Sequence, residues 1–235
     1  MWGVVLSIAS LCGIVSIADC SPIPCFHSGS SGKNSKKFSN PLAILLKIWY
    51  TKRNDRNFER SGIYEKSDSR QALIATKRAA FIDVAEENEN SNPKINRREA
   101  GEIALFAEAY YKVRTANGLP CNPSREVGVI VPFRSQIAMV TKEIAKLNIP
   151  DSKDIVIDTV ERFQGSQREI ILFGTTINNP SQIDILSAPV PDAQGRPIDR
   201  KLNVAITRAR RQMFVFGNRQ VLEQSPLYKA LIEEI

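Results

Sequence analysis

A chain of 235 residues, 43% of them hydrophobic, has enough apolar matter for one substantial core and does not demand two full domains. Its net charge of +7 invites a polyanionic partner, yet residues 1–79 carry twelve basic against five acidic side chains, while residues 80–235 carry twenty of each. The basic excess belongs to the N-terminal third, so charge alone does not make the better-patterned remainder a nucleic-acid binder.

The chain opens on an uncharged apolar run, WGVVLSIASLCGIVSIA (2–18), with no Lys or Arg before it. It admits three readings: a cleaved signal, a buried strand or helix apart from its context, and an N-terminus that is not the authentic start of a longer protein. IADC before Ser21 is close to a lipoprotein cleavage box, but Asp19 stands where that box needs a small residue. Cys12, Cys20, Cys25 and Cys121 show no CxxC spacing and His27 is the lone histidine, so no zinc set is present and the thiols read as reduced and structural. SGSSGKNSKKFSN (28–40) is an exposed loop; its GSSGKN has two residues between the glycines where a phosphate loop needs four, and Asn34 follows the lysine. Residues 41–78 hold one apolar segment, PLAILLKIWY, then a basic, turn-rich stretch with no assignable pattern.

After Arg78 strands and helices alternate. AAFIDVA (79–85) is a short strand, and Arg98 to Ala116 is a helix with Ile103, Phe106, Ala107, Tyr110 and Val113 at three- and four-residue steps. VGVIV (127–131) is a buried strand closed by Pro132, residues 135–147 form a helix, and IVIDTV (155–160) is the next strand. EIILFGTT (169–176), a Pro- and Asn-rich loop, a 199–211 helix, the strand MFVFG (213–217) and a helix from about Ser225 complete the series. Such alternation predicts an α/β domain over 79–235, a mostly parallel sheet with helices on both faces, preceded by a poorly patterned segment over 1–78.

Three stretches carry candidate chemistry. In the 199–211 segment Asp199 caps the helix, and Leu202, Ala205, Ile206 and Ala209 make one buried stripe. Arg208 lies beside that stripe, its guanidinium directed to a cleft where its paired donors suit a phosphate; a solvated basic helix end is the plainer alternative. DTVERFQGSQREIILFGTT (158–176) runs from strand through a Gly165 turn into strand, with Thr159 and Gln164 expected at the same end of the sheet. VIVPFRSQI (129–137) puts Phe133 and Arg134 just past a strand, an aromatic and a cation able to contact a nucleic-acid strand.

In this order the three stretches resemble motifs IV, V and VI of the second RecA-like motor domain of superfamily 1 helicases, in the branch that includes the nonsense-mediated-decay helicase. VIVPFRSQ resembles motif IV, DTVERFQGSQREIIL motif V and KLNVAITRAR motif VI; the resemblance covers about 79–220. It implies ATP and Mg²⁺ held between two RecA-like domains, of which this chain would supply the second and a separate or missing N-terminal RecA-like domain the first. It further implies that Arg208 is the catalytic arginine finger, that Gln164, Gly165 and Gln167 line the nucleotide cleft with Arg208, and that Phe133, Arg134 and Thr159 approach DNA or RNA. Gln167 stands where relatives often have Glu, and the 235 residues contain no Walker A loop, no Walker B pair and no RMHP-like segment. The resemblance implies a truncated chain, inactive alone, working in the cytoplasm or nucleus with no membrane; a half-motor that only binds is the alternative function, and export is an alternative resting on residues 1–25 alone.

Overall fold

The computed structural model describes residues 62–85, 92–163, 165–187, 189–191, 193, 195 and 197–235. The apolar run 2–18, the 28–40 loop, the 41–50 segment, His27 and the first three cysteines lie outside them, as does Gln164.

Five parallel strands make the sheet: β1 (Ala79–Asp83), β2 (Val127–Ile130), β3 (Val156–Asp158), β4 (Arg168–Gly174) and β7 (Ala209–Gly217), in the order β1-β7-β4-β2-β3. The alternation of side chains along each strand gives the sheet two apolar faces. Ile170 and Leu172 of β4 with Phe214 and Phe216 of β7 face one way; Ile171 and Phe173 with Met213 and Val215 face the other. Strands buried on both faces explain why VGVI and ILFG read as continuous apolar runs.

The first face is covered by α1 (Ser69–Thr76), α2 (Arg97–Ala116) and α4 (Arg134–Ile144). Asn96 caps α2 by accepting the Glu99 amide at 2.8 Å, and the predicted stripe of Ile103, Phe106, Ala107, Tyr110 and Val113 is buried. Phe106 is central: its ring centroid lies 5.3 Å from that of Phe214 and 5.1 Å from that of Phe216, the latter edge-on. Each such pair adds about 0.5–1.5 kcal/mol beyond the area it buries. A short helix, α3 (Pro123–Glu126), leads into β2, and Cys121 before it carries a free, half-buried thiol.

The second face is covered by α6 (Arg200–Arg208) and α8 (Pro226–Glu234). Short elements α5 (Ile183–Leu186), the β5/β6 pair (Val190–Pro191 with Pro197–Ile198) and α7 (Arg219–Leu222) fill the connections. Two sequence expectations shift here. The helix expected over 199–211 ends at Arg208, and ARRQMFVFG is one long strand, because Ala209 pairs with Arg168 and the sheet ladder captures the residues after it. The core also reaches upstream of residue 79, since Ile74 and Ala75 of α1 are buried in it.

Candidate functional site

Because β2, β3, β4 and β7 run parallel, residues that come after a strand and residues that precede one stand at opposite edges of the sheet. Phe133 and Arg134 come after β2 and Thr159 after β3, at the C-terminal edge; Gly165 to Gln167 precede β4 and Arg208 precedes β7, at the N-terminal edge. The seven residues of β4 span roughly 20 Å at about 3.3 Å each, which sets the separation. The expectation that Thr159 and the glycine turn share one end is therefore corrected. Residues 159–167 carry the chain from the exit of β3 back to the entrance of β4.

At the N-terminal edge the turn before β4 and the end of α6 are tied together. Gly165 has φ +87, a left-handed conformation that glycine adopts without cost, and a Cβ placed there would meet nothing within 4 Å. The Gln167 side-chain amide donates to the Thr207 carbonyl at 3.2 Å, and the Arg208 guanidinium donates to the Ser166 carbonyl at 3.4 Å. Arg208 also donates from Nε to the Val204 carbonyl at 3.2 Å and from Nη2 to the Thr207 hydroxyl at 3.1 Å. At 8% exposure it is packed, and this corrects the expectation that its guanidinium ends in an open cleft. Being the last residue of α6, it lays its stem along the helix end while the chain turns into β7. Arg168 lies beside this turn, with its guanidinium 5.9 Å from the Phe163 ring centroid; burial, then the nearby charge of Arg210, lowers its pKa. Arg210 and Arg211 both reach Glu169 on the neighbouring strand, at 3.4 and 3.0 Å. The arginines of this edge thus divide: Arg210 and Arg211 hold the Glu169 carboxylate, while Arg208 turns to the Ser166 carbonyl, where its donors suit an oxyanion. Among the described residues no group of three or more His, Cys, Asp or Glu is placed to hold a metal ion.

At the C-terminal edge Phe133 is half-buried at the N-cap position of α4, and Arg134 is exposed. The Thr159 amide donates to the Asp158 carboxylate at 2.8 Å, and its carbonyl accepts the amides of Arg162 and Phe163, both at 3.1 Å. Lys201 pairs with Glu161 at 3.3 Å. Burial acts to raise the Glu161 carboxyl, but bonds from its own amide, the Thr159 hydroxyl and Lys201 outweigh it, and the group titrates below the usual carboxylate range. Lys201 and Glu161 rim a shallow cleft floored by Ile130, Pro132, Phe173 and Leu186.

Sequence reasoning missed a buried polar knot at this same edge. Asn96, Glu99, Gln136, Thr175 and Thr176 are all fully buried. Glu99 accepts from the Thr176 amide and hydroxyl, both at 2.8 Å, and from the Gln136 side-chain amide at 3.1 Å. Burial, the largest influence, pushes its carboxyl up to about 7 against the bonds from Thr176 and Gln136. Thr176, a β-branched residue, sits at φ +56, a conformation costing about 1–3 kcal/mol that the surrounding bonds must hold. The one sequence signal was Asn96 with Glu99 three residues later, the spacing of a capping box. The carboxylate turns inward to Thr176 instead, a partner 77 residues away.

With a RecA-like α/β sheet and these two edges described, comparison with known proteins gives the class. The AAA domain family matches over residues 49–220, and the chain belongs to that family. It is a C-terminal RecA-like domain of the superfamily 1 helicase kind. It is similar to "Regulator of nonsense transcripts 1" of Dictyostelium discoideum, 34% identical over 111 residues, which are 46% of this chain and 8% of that protein. It is similar to "DNA polymerase alpha-associated DNA helicase A" of Saccharomyces cerevisiae, 32% identical over 146 residues, 61% of this chain and 18% of that protein. "Probable RNA helicase armi" of Drosophila melanogaster is 28% identical over 155 residues, 65% of this chain and 12% of that protein. The chain thus spans less than a fifth of the length of these relatives. No helix among the described residues is long and apolar enough to cross a membrane.

Proposed function

We propose that this chain is the C-terminal motor half of an ATP-dependent nucleic-acid helicase, acting in the cytoplasm or nucleus. Its N-terminal sheet edge serves a nucleotide held by an N-terminal RecA-like domain, and its C-terminal edge serves DNA or RNA. The observation that carries the reading is the tie between the Gly165 to Gln167 turn and Thr207–Arg208, which holds the Arg208 guanidinium beside an open left-handed turn. Gly165 and Gln167 would line the nucleotide, and Gln164 belongs to the same proposal. Arg208 would leave its contact with the Ser166 carbonyl to meet charge developing on the terminal phosphate, an exchange of a neutral acceptor for an anionic one that favours the ligand. ATP with Mg²⁺ supplies phosphoryl transfer to water, and the metal ligands must come from the other domain. At the far edge Phe133 offers a stacking face, Arg134 a phosphate contact and Thr159 a hydroxyl, and relatives described as helicases of DNA and of RNA support a nucleic acid as the ligand. A motor needs two such sites mechanically linked but spatially apart, and the length of β4 lies between these two.

The test is to join the chain to the first motor domain of a matching superfamily 1 helicase. Nucleic-acid-stimulated ATP hydrolysis is expected from the joined protein and none from the chain alone, whose 235 residues contain no phosphate loop. Arg208→Ala should lower turnover by about 10³- to 10⁵-fold, and Arg208→Lys should restore little, since an ammonium lacks the guanidinium fork. Strand binding with no turnover by the joined wild-type protein would identify a binding-only half-motor and sink the finger assignment.

A further inference from the structure

The helix that begins the C-terminal edge has no cap of its own. Phe133, at the N-cap position of α4, makes no side-chain capping bond, and the first turn is held from outside by the 92–99 segment. The Ser135 hydroxyl donates to the Lys94 carbonyl at 2.8 Å. The Gln136 side chain accepts the Asn96 amide at 2.9 Å and donates to the Asn96 carbonyl at 2.9 Å and to Glu99 at 3.1 Å. Glu99 then reaches the exit of β4, taking the Thr176 amide and hydroxyl. Asn96 reinforces the bridge by donating to Asn178 at 3.1 Å, and Gln182 gathers the amides of Asn178 and Asn179, both at 3.1 Å.

One carboxylate therefore joins the turn after β2 to the turn after β4. Its chemistry suits the place, because every group aimed at it is a donor: an amide, a hydroxyl and a side-chain amide. The spacing is equally constrained. A Cβ at Gly174 would come 2.6 Å from Glu99 Oε1, so the last residue of β4 is a glycine where the carboxylate presses against the strand. The left-handed Thr176 is gripped by two bonds from the same group.

We propose that Glu99 is a positioning residue: it locks the Phe133 to Gln136 turn to the exit of β4 and so sets the attitude of Phe133 and Arg134 toward a nucleic-acid strand. The last part rests on the nucleic-acid reading of that edge. Buried polar groups that satisfy one another fix a single arrangement, whereas an apolar filling of the same space would let the two turns slide.

The experiment uses the full chain, Glu99→Ala and Thr176→Ala. Thr176→Ala removes one donor, keeps the backbone bond and lightens the left-handed residue, so it folds even where Glu99→Ala does not. Backbone amide NMR signals report position in the folded molecule, and binding of labelled oligothymidylate and oligouridylate reports function; neither depends on stability while the protein stays folded. Both variants should move the signals of residues 133–137 and 175–178 and leave those of β1 in place. Oligonucleotide affinity should fall about tenfold for Glu99→Ala, the loss of one well-stacked base, and less for Thr176→Ala. Unmoved 133–137 signals in a folded variant overturn the proposal, as does undiminished affinity with the turn displaced. If the wild-type chain binds neither oligonucleotide, the nucleic-acid reading falls, and the amide signals alone decide whether Glu99 sets the turn.

Discussion

Arg208 shows how one residue serves structure and proposed chemistry together. Its bonds to Val204, Ser166 and Thr207 close the junction between α6, β7 and the turn before β4, so its removal should also weaken the fold. Arg208→Ala is expected to cost about 1–3 kcal/mol in a urea titration, the range for a buried hydrogen-bonded side chain lost without replacement. Arg211→Ala, on an exposed side chain paired with Glu169, should stay within about 0.5 kcal/mol. Glu99 makes a residue-scale prediction about pH. Its pKa in the fold is about 7 against an ordinary 4.5, so the protonated form is the one folding favours. The contribution is fully present below pH 4.5 and is lost as pH rises through 7, a change of ~3 kcal/mol at about 1.4 kcal/mol per pH unit. Urea titrations of the wild-type chain and Glu99→Gln, which cannot titrate, should show the wild type losing about that much relative to the variant between pH 4.5 and 8. A difference that stays constant across this range would mean that the carboxyl is not desolvated as the structure has it.

At the scale of elements, the sequence shows best the features that local periodicity controls. Ile103, Phe106, Ala107, Tyr110 and Val113 have one reading, a helix face, and α2 buries them. The boundary between α6 and β7 has two. Ala209 continues the helical stripe of Leu202, Ala205 and Ile206, and it equally begins the alternation of the strand; pairing with Arg168 decides for the strand. The arginines that look in sequence like a charged helix end are thereby split, Arg208 inward and Arg210 and Arg211 outward toward Glu169. The division of the site between two sheet edges is equally hidden, because the 158–176 stretch is continuous in sequence while its ends lie at opposite edges. Beyond the Asn96 to Glu99 spacing the polar knot has no local signature, Glu99 lying 37 residues from Gln136 and 77 from Thr176. Its tightness makes an element-scale prediction at Gly174, where β4 meets the first turn of α2. An alanine Cβ would stand 2.6 Å from Glu99 Oε1 and 2.9 Å from Ile103 Cδ1, and neither atom belongs to a freely moving chain end. Gly174→Ala should cost about 1–3 kcal/mol by overpacking, read as a lowered urea midpoint with an unchanged slope.

For the molecule as a whole, the question is where the stable unit begins. The sequence pattern puts the start of the RecA-like domain at residue 79, at the first regular strand. The core extends beyond it: α1 packs Ile74 and Ala75 against the same face as α2, and Tyr64 and Leu73 lean on that cluster. The polar contacts agree. Gln212 of β7, itself buried, donates to the carbonyls of Ile74 and Lys77, both at 2.7 Å. Arg70 makes a paired contact with Glu102 at 2.8 and 2.9 Å, and the Ile63 backbone exchanges two bonds with the Asn117 side chain at the end of α2. A chain begun at residue 79 would bare one side of α2 and strip the Gln212 amide of both its acceptors. Losing a buried Ile alone costs about 2–5 kcal/mol, a large share of the stability of many domains. The Arg70 pair, partly exposed, adds little to this. The expected outcome is that residues 79–235 unfold at a urea midpoint much lower than that of the full chain or fail to fold. An equal midpoint would show that α1 rests on the sheet without stabilising it, and the domain would then begin at β1 as its sequence pattern suggests.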